Sequence, residues 1–266
     1  MQRSSGEART AFRRAGMRTV AFDHYQRGCA KVRVPRSFAD PEAIFINTAG
    51  GLTDGDTISV TARWETDASA VVTTQAAERV YRARRDRPAI VRNHVIAADG
   101  ATAAWLPQPT ILFEGARLDR ALDATLFGNA TFLGCETIVF GRTAMGETVS
   151  AGSLFDAWRI ERDGKLLFID RLGLDGDVRA ALSRKAGANG AIAVATLVYA
   201  GADSAHKRDA VRSVLPPGGT AAGCSDLGEV LVVRLLAPTE FALRRQLVAV
   251  LEILRGREGV PHLWRL

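Results

Sequence analysis

The feature that most constrains this chain is a succession of short segments in which apolar and polar residues alternate. Every second residue of 57–64 is apolar, starting at Ile58, which is the period of a half-buried strand. Comparable segments between turn residues fill the region 18–198. Residues 43–46 form a continuous apolar run typical of a strand covered on both faces, and 118–126 fits a strand or a helix. The sequence therefore predicts a mainly β fold of many short strands.

A weak internal repeat indicates how these strands are arranged. A small turn residue precedes an alanine-led strand at Ala68, Ala101 and Ala130, about 30 residues apart, and residues 189–192 resemble a later copy. This period favours a layered or helical β arrangement. The alternative is that ordinary hairpin turns also favour Gly, Asn and Asp.

Helices are predicted mostly in the C-terminal third. Thr239 can cap a helix with an apolar stripe between residues 243 and 254, and Gly256 follows its end. Residues 202–215 form a second, weaker helical pattern that stops at the Pro-Pro-Gly-Gly loop 216–219.

The domain prediction is a disordered basic tail at residues 1–16 followed by a single domain at 17–266. Residues 1–16 are basic and Ser-rich and lack the apolar stretch of a secretory signal. The loop 216–219 is the best linker candidate, but residues 230–236 beyond it read as another core strand. We therefore expect one domain.

The composition limits which cellular compartment and which classes of partner are expected. No apolar run approaches the roughly 18 residues needed to cross a bilayer, and three scattered cysteines favour a reducing compartment. We therefore expect a cytoplasmic protein. The formal net charge is +6, which leaves three interpretations open: a solvated surface, an acidic protein partner, or nucleic acid. Arginines gather only between residues 79 and 87, and no known nucleic-acid motif surrounds them.

No motif for catalysis is present. The glycine-rich stretch 50–56 lacks the Gly-Lys-Ser/Thr of a P-loop and carries Asp54 and Asp56, which would repel phosphate. The two aspartates resemble only a fragment of a calcium loop. No Gly-x-Ser-x-Gly elbow occurs, and the four histidines have no metal-ligand spacing. We expect neither an enzyme nor a tightly bound cofactor.

Three unusual loops are the candidate binding surface, because loops on a β scaffold commonly carry function. They are 73–82, the doubly proline-pinned segment 106–113, and the turn 141–147. The candidate loop and partner residues within them are Thr73, Thr74, Gln75, Tyr81, Arg82 and Arg142.

The same loops carry a family resemblance. The segments INTAGGLTDGD, VVTTQAAERVYRA, LPQPTILFEGA, FGRTAMGE and the ending LWRL resemble the urease accessory protein family UreD, also called UreH. The resemblance runs in order from about Gly28 to the C-terminus. It implies a mainly β, helically stacked fold and a cytoplasmic maturation factor without enzymatic activity. It further implies binding to UreF, to the GTPase UreG through UreF, and to the urease apoprotein, within a larger heteromeric complex that installs nickel and a lysine carbamate.

Three positions depart from the family pattern. Asp54-Gly55-Asp56 stands where Gly-Gly-Asp is expected, Arg79 replaces a frequent lysine, and Pro261-His262 stands where Pro-Arg is usual. The last departure weakens any role for a C-terminal arginine, but it leaves the resemblance intact.

Four carboxylates are the candidate nickel ligands. Imidazoles and thiolates, which nickel prefers, are few and scattered, so a tight site is not expected. We predict instead a transient route bordered by Asp56, Glu78, Glu136 and Glu147, with Thr74 and Gln75 supplying further oxygens. Arg142 is expected to orient Glu147.

Two alternatives remain beside this route. The first is a pure adaptor that bridges UreF and urease without touching nickel. The second is a β-solenoid carbohydrate enzyme using Asp54 and Asp56 as paired carboxylates, which the 7% aromatic content disfavours. Neither a membrane nor a nucleic-acid partner is expected.

Overall fold

The computed structural model describes residues 3–35, 41–142, 145–215, 221–256 and 259–265. The strands in these residues are β1 (Ser5–Ala15), β2 (Arg18–Gly28), β3 (Ala30–Arg33), β4 (Glu42–Asn47), β5 (Thr57–Trp64), β6 (Ser69–Thr74), β7 (Glu78–Val80), β8 (Ala89–Ala97), β9 (Thr102–Trp105), β10 (Thr110–Leu112), β11 (Arg117–Leu126), β12 (Thr131–Phe140), β13 (Ala151–Arg162), β14 (Lys165–Asp177), β15 (Ala193–Ala200), β16 (Ala221–Asp226) and β17 (Val230–Ala237). The helices are α1 (Val178–Ser183), α2 (Ser204–Val214) and α3 (Glu240–Arg255), and His262–Trp264 forms a 3₁₀ turn. The mainly β prediction is confirmed, and the ambiguous segment 118–126 lies in β11.

The strands build two sheets that face each other across a shared core. The first has the order β14-β13-β11-β8-β5-β1-β2 and the second β16-β17-β15-β12-β9-β6-β4-β3, with β10 joining β7 to β12. The chain passes from one sheet to the other at β5–β6, β8–β9 and β11–β12, so successive units stack as parallel neighbours. This is the layered β arrangement that the repeat predicts.

The repeat itself is in register. Ser69 lies opposite Thr102, which lies opposite Thr131. The alanine before each of these residues is buried in the core. The prediction of a later copy of the repeat at residues 189–192 was wrong. The strand that follows these residues, β15, runs antiparallel to β12 and so does not repeat the unit.

The expectation of a disordered N-terminal tail was wrong for the described residues 3–16. β1 lies inside the first sheet, antiparallel to β2 and parallel to β5. Ala8 and Phe12 are fully buried, and the Phe12 ring contacts Trp64 at a centroid distance of 5.2 Å. The arginines of the segment, such as Arg9 and Arg13, occupy the opposite, exposed phase of the strand, so its basic composition hid an ordinary alternating pattern.

The C-terminal helices cover the outer face of the second sheet. Thr239 caps α3 by accepting a hydrogen bond from the Ala242 amide, and Gly256 ends the helix with φ of +60°. The second pattern, 202–215, contains α2, while the predicted stop at 216–219 lies outside the described residues. Among the described helices, none has the length and apolar character needed to span a bilayer.

Candidate functional site

A cavity of about 260 Å³ lies between the two sheets. Its inner wall comes from β8, β9, β11 and β12, and its outer end from the loops after β4 and β6. The lining residues at the outer end that are exposed to solvent include Gly50, Gln75 and Ala76. The cavity therefore connects the sheet interior with the loops that carry the conspicuous sequence motifs.

A buried ionic cluster forms part of the inner wall. Arg120 donates two hydrogen bonds of 2.8 Å to Asp156, its direct neighbour on β13, and one of 2.6 Å to Glu136 on the opposite sheet. Trp105 donates to the other Glu136 oxygen at 3.0 Å, and Thr110 accepts from Arg120. All three charged side chains are less than 10% exposed. The cluster thus crosslinks the two sheets.

The charges in this cluster do not balance. One guanidinium faces two carboxylates, so full ionisation leaves a net charge of −1 in the protein interior. Burial raises the pKa of Glu136 above its usual value, against the opposing attraction of Arg120. The imbalance can be relieved by a proton on Glu136 or by a cation in the adjoining cavity.

Asn93 adds a second polar group to the inner wall. Asn93 is 5% exposed and lines the cavity. A carboxamide offers one acceptor oxygen and two N–H donors to whatever occupies the space beside it. Asn93 therefore adds hydrogen-bonding capacity to a lining that is mostly apolar.

Glu78 stands at the outer part of the cavity. Its carboxylate accepts two hydrogen bonds of 3.2 Å from the Asn47 side chain and one from the Arg79 amide. Burial raises the pKa of Glu78 to about 7, and these hydrogen bonds oppose the shift without cancelling it. Glu78 therefore exchanges its proton near neutral pH.

This pKa predicts a pH-dependent stability. The carboxyl group ionises at about 4.5 in the unfolded chain and about 7 in the folded protein. The free energy of unfolding is therefore expected to fall as pH rises through this interval, because only the unfolded state readily releases the proton. Urea unfolding of wild-type protein and of Glu78→Gln would show a difference that changes with pH in this window. The exposed control Glu252→Gln should run parallel to wild type, and parallel curves for Glu78→Gln would contradict the assignment.

The sequence candidates fall into three places. Glu78, Glu136, Thr74 and Gln75 line the cavity. Tyr81, Arg82, Arg142 and Glu147 line a separate surface cleft. Asp56 and Thr73 lie in neither, although both are buried. Of the four carboxylates of the predicted route, only Glu78 and Glu136 therefore line the same cavity.

Asp56 is engaged in the backbone of its turn. Its two carboxylate oxygens accept hydrogen bonds from the Ser4 amide at 2.8 Å and the Thr53 amide at 2.9 Å. Asp54 is 1% exposed, pairs with Arg3 at 2.5 Å and accepts from the Arg84 amide. Both aspartates therefore secure the loop 50–56 to β1, which is a positioning role.

Glu147 is held by Arg142, as the sequence predicts. Arg142 donates through its side chain at 2.9 and 3.3 Å and through its backbone amide at 3.1 Å. The Arg142 hydrogen bond lowers the pKa of Glu147. The neighbouring motif residues 143–144 lie outside the described residues.

The threonines of the 73–82 loop differ in role. Thr74 accepts a hydrogen bond from the Gln108 amide at 2.9 Å and donates to the Ala76 carbonyl, which ties the loop to the proline-pinned segment. Thr73 is fully buried, and its hydroxyl has no partner among the described residues.

A compact metal site is not formed in the described part of the chain. No three His, Cys, Asp or Glu side chains there are grouped closely enough to hold an ion together. What the described residues form instead is a cavity whose lining includes two carboxylates, Glu78 and Glu136, and the neutral polar side chains of Thr74, Gln75 and Asn93.

Sequence reasoning missed Arg120, Asp156 and Asn93. Arg120 and Asp156 carry charge at positions whose strand neighbours in the same phase are buried and apolar, such as Leu118 and Trp158. A charge in the inward phase of a strand is the signal that could have revealed the cluster.

Comparison with known proteins supports the motif-based resemblance. The family model "UreD urease accessory protein" matches residues 4–265. A protein named urease accessory protein UreD from Chelativorans sp. (strain BNC1) is 44% identical over all of this chain and 95% of its own length. Proteins with the same name from Mesorhizobium japonicum and Rhizobium etli are 42% and 43% identical, again over the whole chain and 95% and 96% of their lengths.

Proposed function

This chain belongs to the UreD family of urease accessory proteins, and from that membership and the cavity we propose that it is a non-enzymatic, cytoplasmic maturation factor that helps nickel reach urease. Its expected partners are UreF, UreG through UreF, and the urease apoprotein. Nickel is the cargo of this process and is held only in passing.

The observation that carries the proposal is the pair of carboxylates in the largely apolar cavity between the sheets, Glu78 in its outer part and Glu136 on its inner wall. A conduit must bind its ion weakly enough for the ion to leave. Two separated carboxylates, with Thr74, Gln75 and Asn93 supplying neutral oxygens, meet that requirement better than a closed set of ligands.

The protonation states of Glu78 and Glu136 are expected to control how readily nickel enters the cavity. A carboxylate must lose its proton to contact a cation, and the pKa of Glu78 is about 7. The unbalanced charge beside Arg120 favours either a proton or a cation at Glu136. Nickel entry is therefore expected to release protons and to improve as pH rises through neutrality.

Asp56 and Glu147 take supporting roles in this proposal. Asp56 fixes the loop that carries Gly50 and Gly51 at the cavity's outer end, and Glu147 fixes Arg142 in the separate cleft. Neither needs to touch nickel.

The test is urease activation by Glu78→Gln/Glu136→Gln. The glutamines keep the shape and most hydrogen bonds, and the neutral amide at position 136 leaves one guanidinium facing one carboxylate. In cells that produce urease with its accessory proteins, we expect nickel per urease and activity to fall roughly tenfold, the scale seen when groups around a metal are removed. The exposed control Glu252→Gln should activate like wild type.

Co-purification with UreF and apo-urease must be measured on the same variants. Retained assembly with reduced nickel content supports the conduit. Retained assembly with full activation would overturn it and leave the pure adaptor as the function.

A further inference from the structure

A surface patch next to the cleft combines aromatic rings with an excess of arginine. We define the arginine–aromatic patch as residues 79–87 together with Phe113 and Arg142. Two adjoining clefts of about 540 and 380 Å³ share Tyr81, Phe113 and Arg142 as lining residues.

The aromatic part of the patch is held in place by contacts with its neighbours. Tyr81 meets Phe113 edge to face at a centroid distance of 4.9 Å, and the Arg142 guanidinium lies over the Phe113 ring at 4.5 Å. The Tyr81 hydroxyl donates to the Gly50 carbonyl at 3.1 Å. A Cβ at Gly51 would approach the Tyr81 ring to 2.4 Å, so glycine is needed there for the ring to pack. Even so, Tyr81 remains 38% exposed.

The charge of the patch is one-sided. Five arginines against Asp86 give residues 79–87 a formal charge of +4, and all five are exposed or partly exposed. The carboxylates around the larger cleft are already engaged: Asp54 with Arg3, Glu147 with Arg142, and Glu114 with the Ser150 amide and, at 4.0 Å, with Arg82. The patch thus directs positive charge outward around an aromatic centre.

We propose that the arginine–aromatic patch binds an acidic segment of a partner protein that inserts one apolar side chain beside Tyr81. Arginine and tyrosine are among the residues most enriched at interface hot spots, and an arginine-rich rim steers and selects an acidic partner. The fixed ring pair supplies the apolar contact, and the arginines of the 79–87 loop supply the charge. This inference is independent of nickel passage through the cavity.

The probe is a short fluorescein-labelled peptide of Glu and Asp around one central Phe, titrated onto the full chain and followed by fluorescence anisotropy. Binding at low salt should weaken as salt increases. The variant Arg82→Glu/Arg85→Glu and the variant Tyr81→Ala should each weaken it about tenfold or more. A peptide with Gly in place of Phe should bind wild-type protein more weakly than the Phe peptide does. On Tyr81→Ala the two peptides should bind equally well.

The matched control is Arg18→Glu/Arg14→Glu, which makes the same change in net charge at the far end of the β1–β2 hairpin. Near wild-type binding by this control supports a specific patch. Equal losses in both double variants would reduce the effect to overall charge and overturn the proposal. Preferred binding of a single-stranded DNA oligonucleotide over the peptide would overturn it in favour of nucleic acid. Circular dichroism melting confirms that every variant compared is folded.

Discussion

Replacing Arg120 by methionine is expected to lower the free energy of unfolding by about 3–5 kcal/mol, the loss typical of breaking a buried ion pair from one side. The substitution leaves Glu136 and Asp156 facing each other in the interior without the guanidinium that bridges them. It also removes the only side-chain link from Asp156 on the first sheet to Glu136 on the second among the described residues. Urea denaturation followed by tryptophan fluorescence measures the change.

Arg117→Met is the matched control for Arg120. Arg117 lies three residues earlier on β11, is partly exposed, and pairs with the exposed Asp86 at 2.9 Å. Exposed pairs contribute about 0–1 kcal/mol, so this variant should stay close to wild type. A loss below about 1 kcal/mol for Arg120→Met would show that the cluster does not hold the sheets together.

A compensated variant separates charge from shape. Arg120→Met/Glu136→Gln/Asp156→Leu removes all three charges, while the glutamine amide introduced at position 136 keeps an acceptor for Trp105. Apolar replacement of a whole buried ionic cluster is often neutral or stabilising. We therefore expect the triple variant to regain most of the stability that Arg120→Met loses, but not the capacity to pass nickel.

Asp56→Ala is expected to lower the free energy of unfolding by about 3 kcal/mol, since two hydrogen bonds to one buried carboxylate are lost together. The amides of Ser4 and Thr53 would be left without acceptors at the point where β1 enters the first sheet. The start of β1 should therefore open first, and hydrogen exchange at residues 4–8 should rise more than elsewhere.

The control for Asp56 is Asp23→Ala on the exposed edge strand β2, which should change stability by no more than about 0.5 kcal/mol. Nickel content of urease per folded molecule of Asp56→Ala decides its role. An unchanged content fits positioning. A fall in nickel content without a fall in stability would return Asp56 to the predicted nickel route.

The sequence predicted the strands well where the pattern was local. The alternation at 57–64, the alanines 68, 101 and 130, and the cap at Thr239 all describe contacts within one element or between successive units. Such contacts follow from periodicity and turn chemistry alone. The stacking of β6, β9 and β12 could therefore be predicted, whereas the antiparallel pairing of β15 could not.

The candidate site was predicted only in part, because its geometry depends on contacts between distant strands. Glu78 and Glu136 lie 58 positions apart in the chain yet line one cavity, which no local pattern specifies. The prediction that the β1 segment is disordered failed for the same reason, because its partner β5 begins more than 40 residues later. The many basic residues of the segment also concealed its strand pattern. The position of Arg120 could be recognised in the sequence as a charge among the inward-facing apolar residues of a strand. Its pairing with residues of two different sheets could not.

The pairing directions at the sheet ends have a consequence for self-association. The strands from β5 to β13 in the first sheet, and from β4 to β12 in the second, pair in parallel with their neighbours. If such a stack ended in a parallel strand, the unpaired backbone groups of that strand could pair with another copy of the chain. Both ends of both sheets instead finish in antiparallel strands, and the terminal β2 and β14 carry charges along their length. These strands stand where the terminal caps of a repeat protein do. A fragment cut back to the parallel strands alone is therefore expected to associate with further copies more readily than the intact chain does.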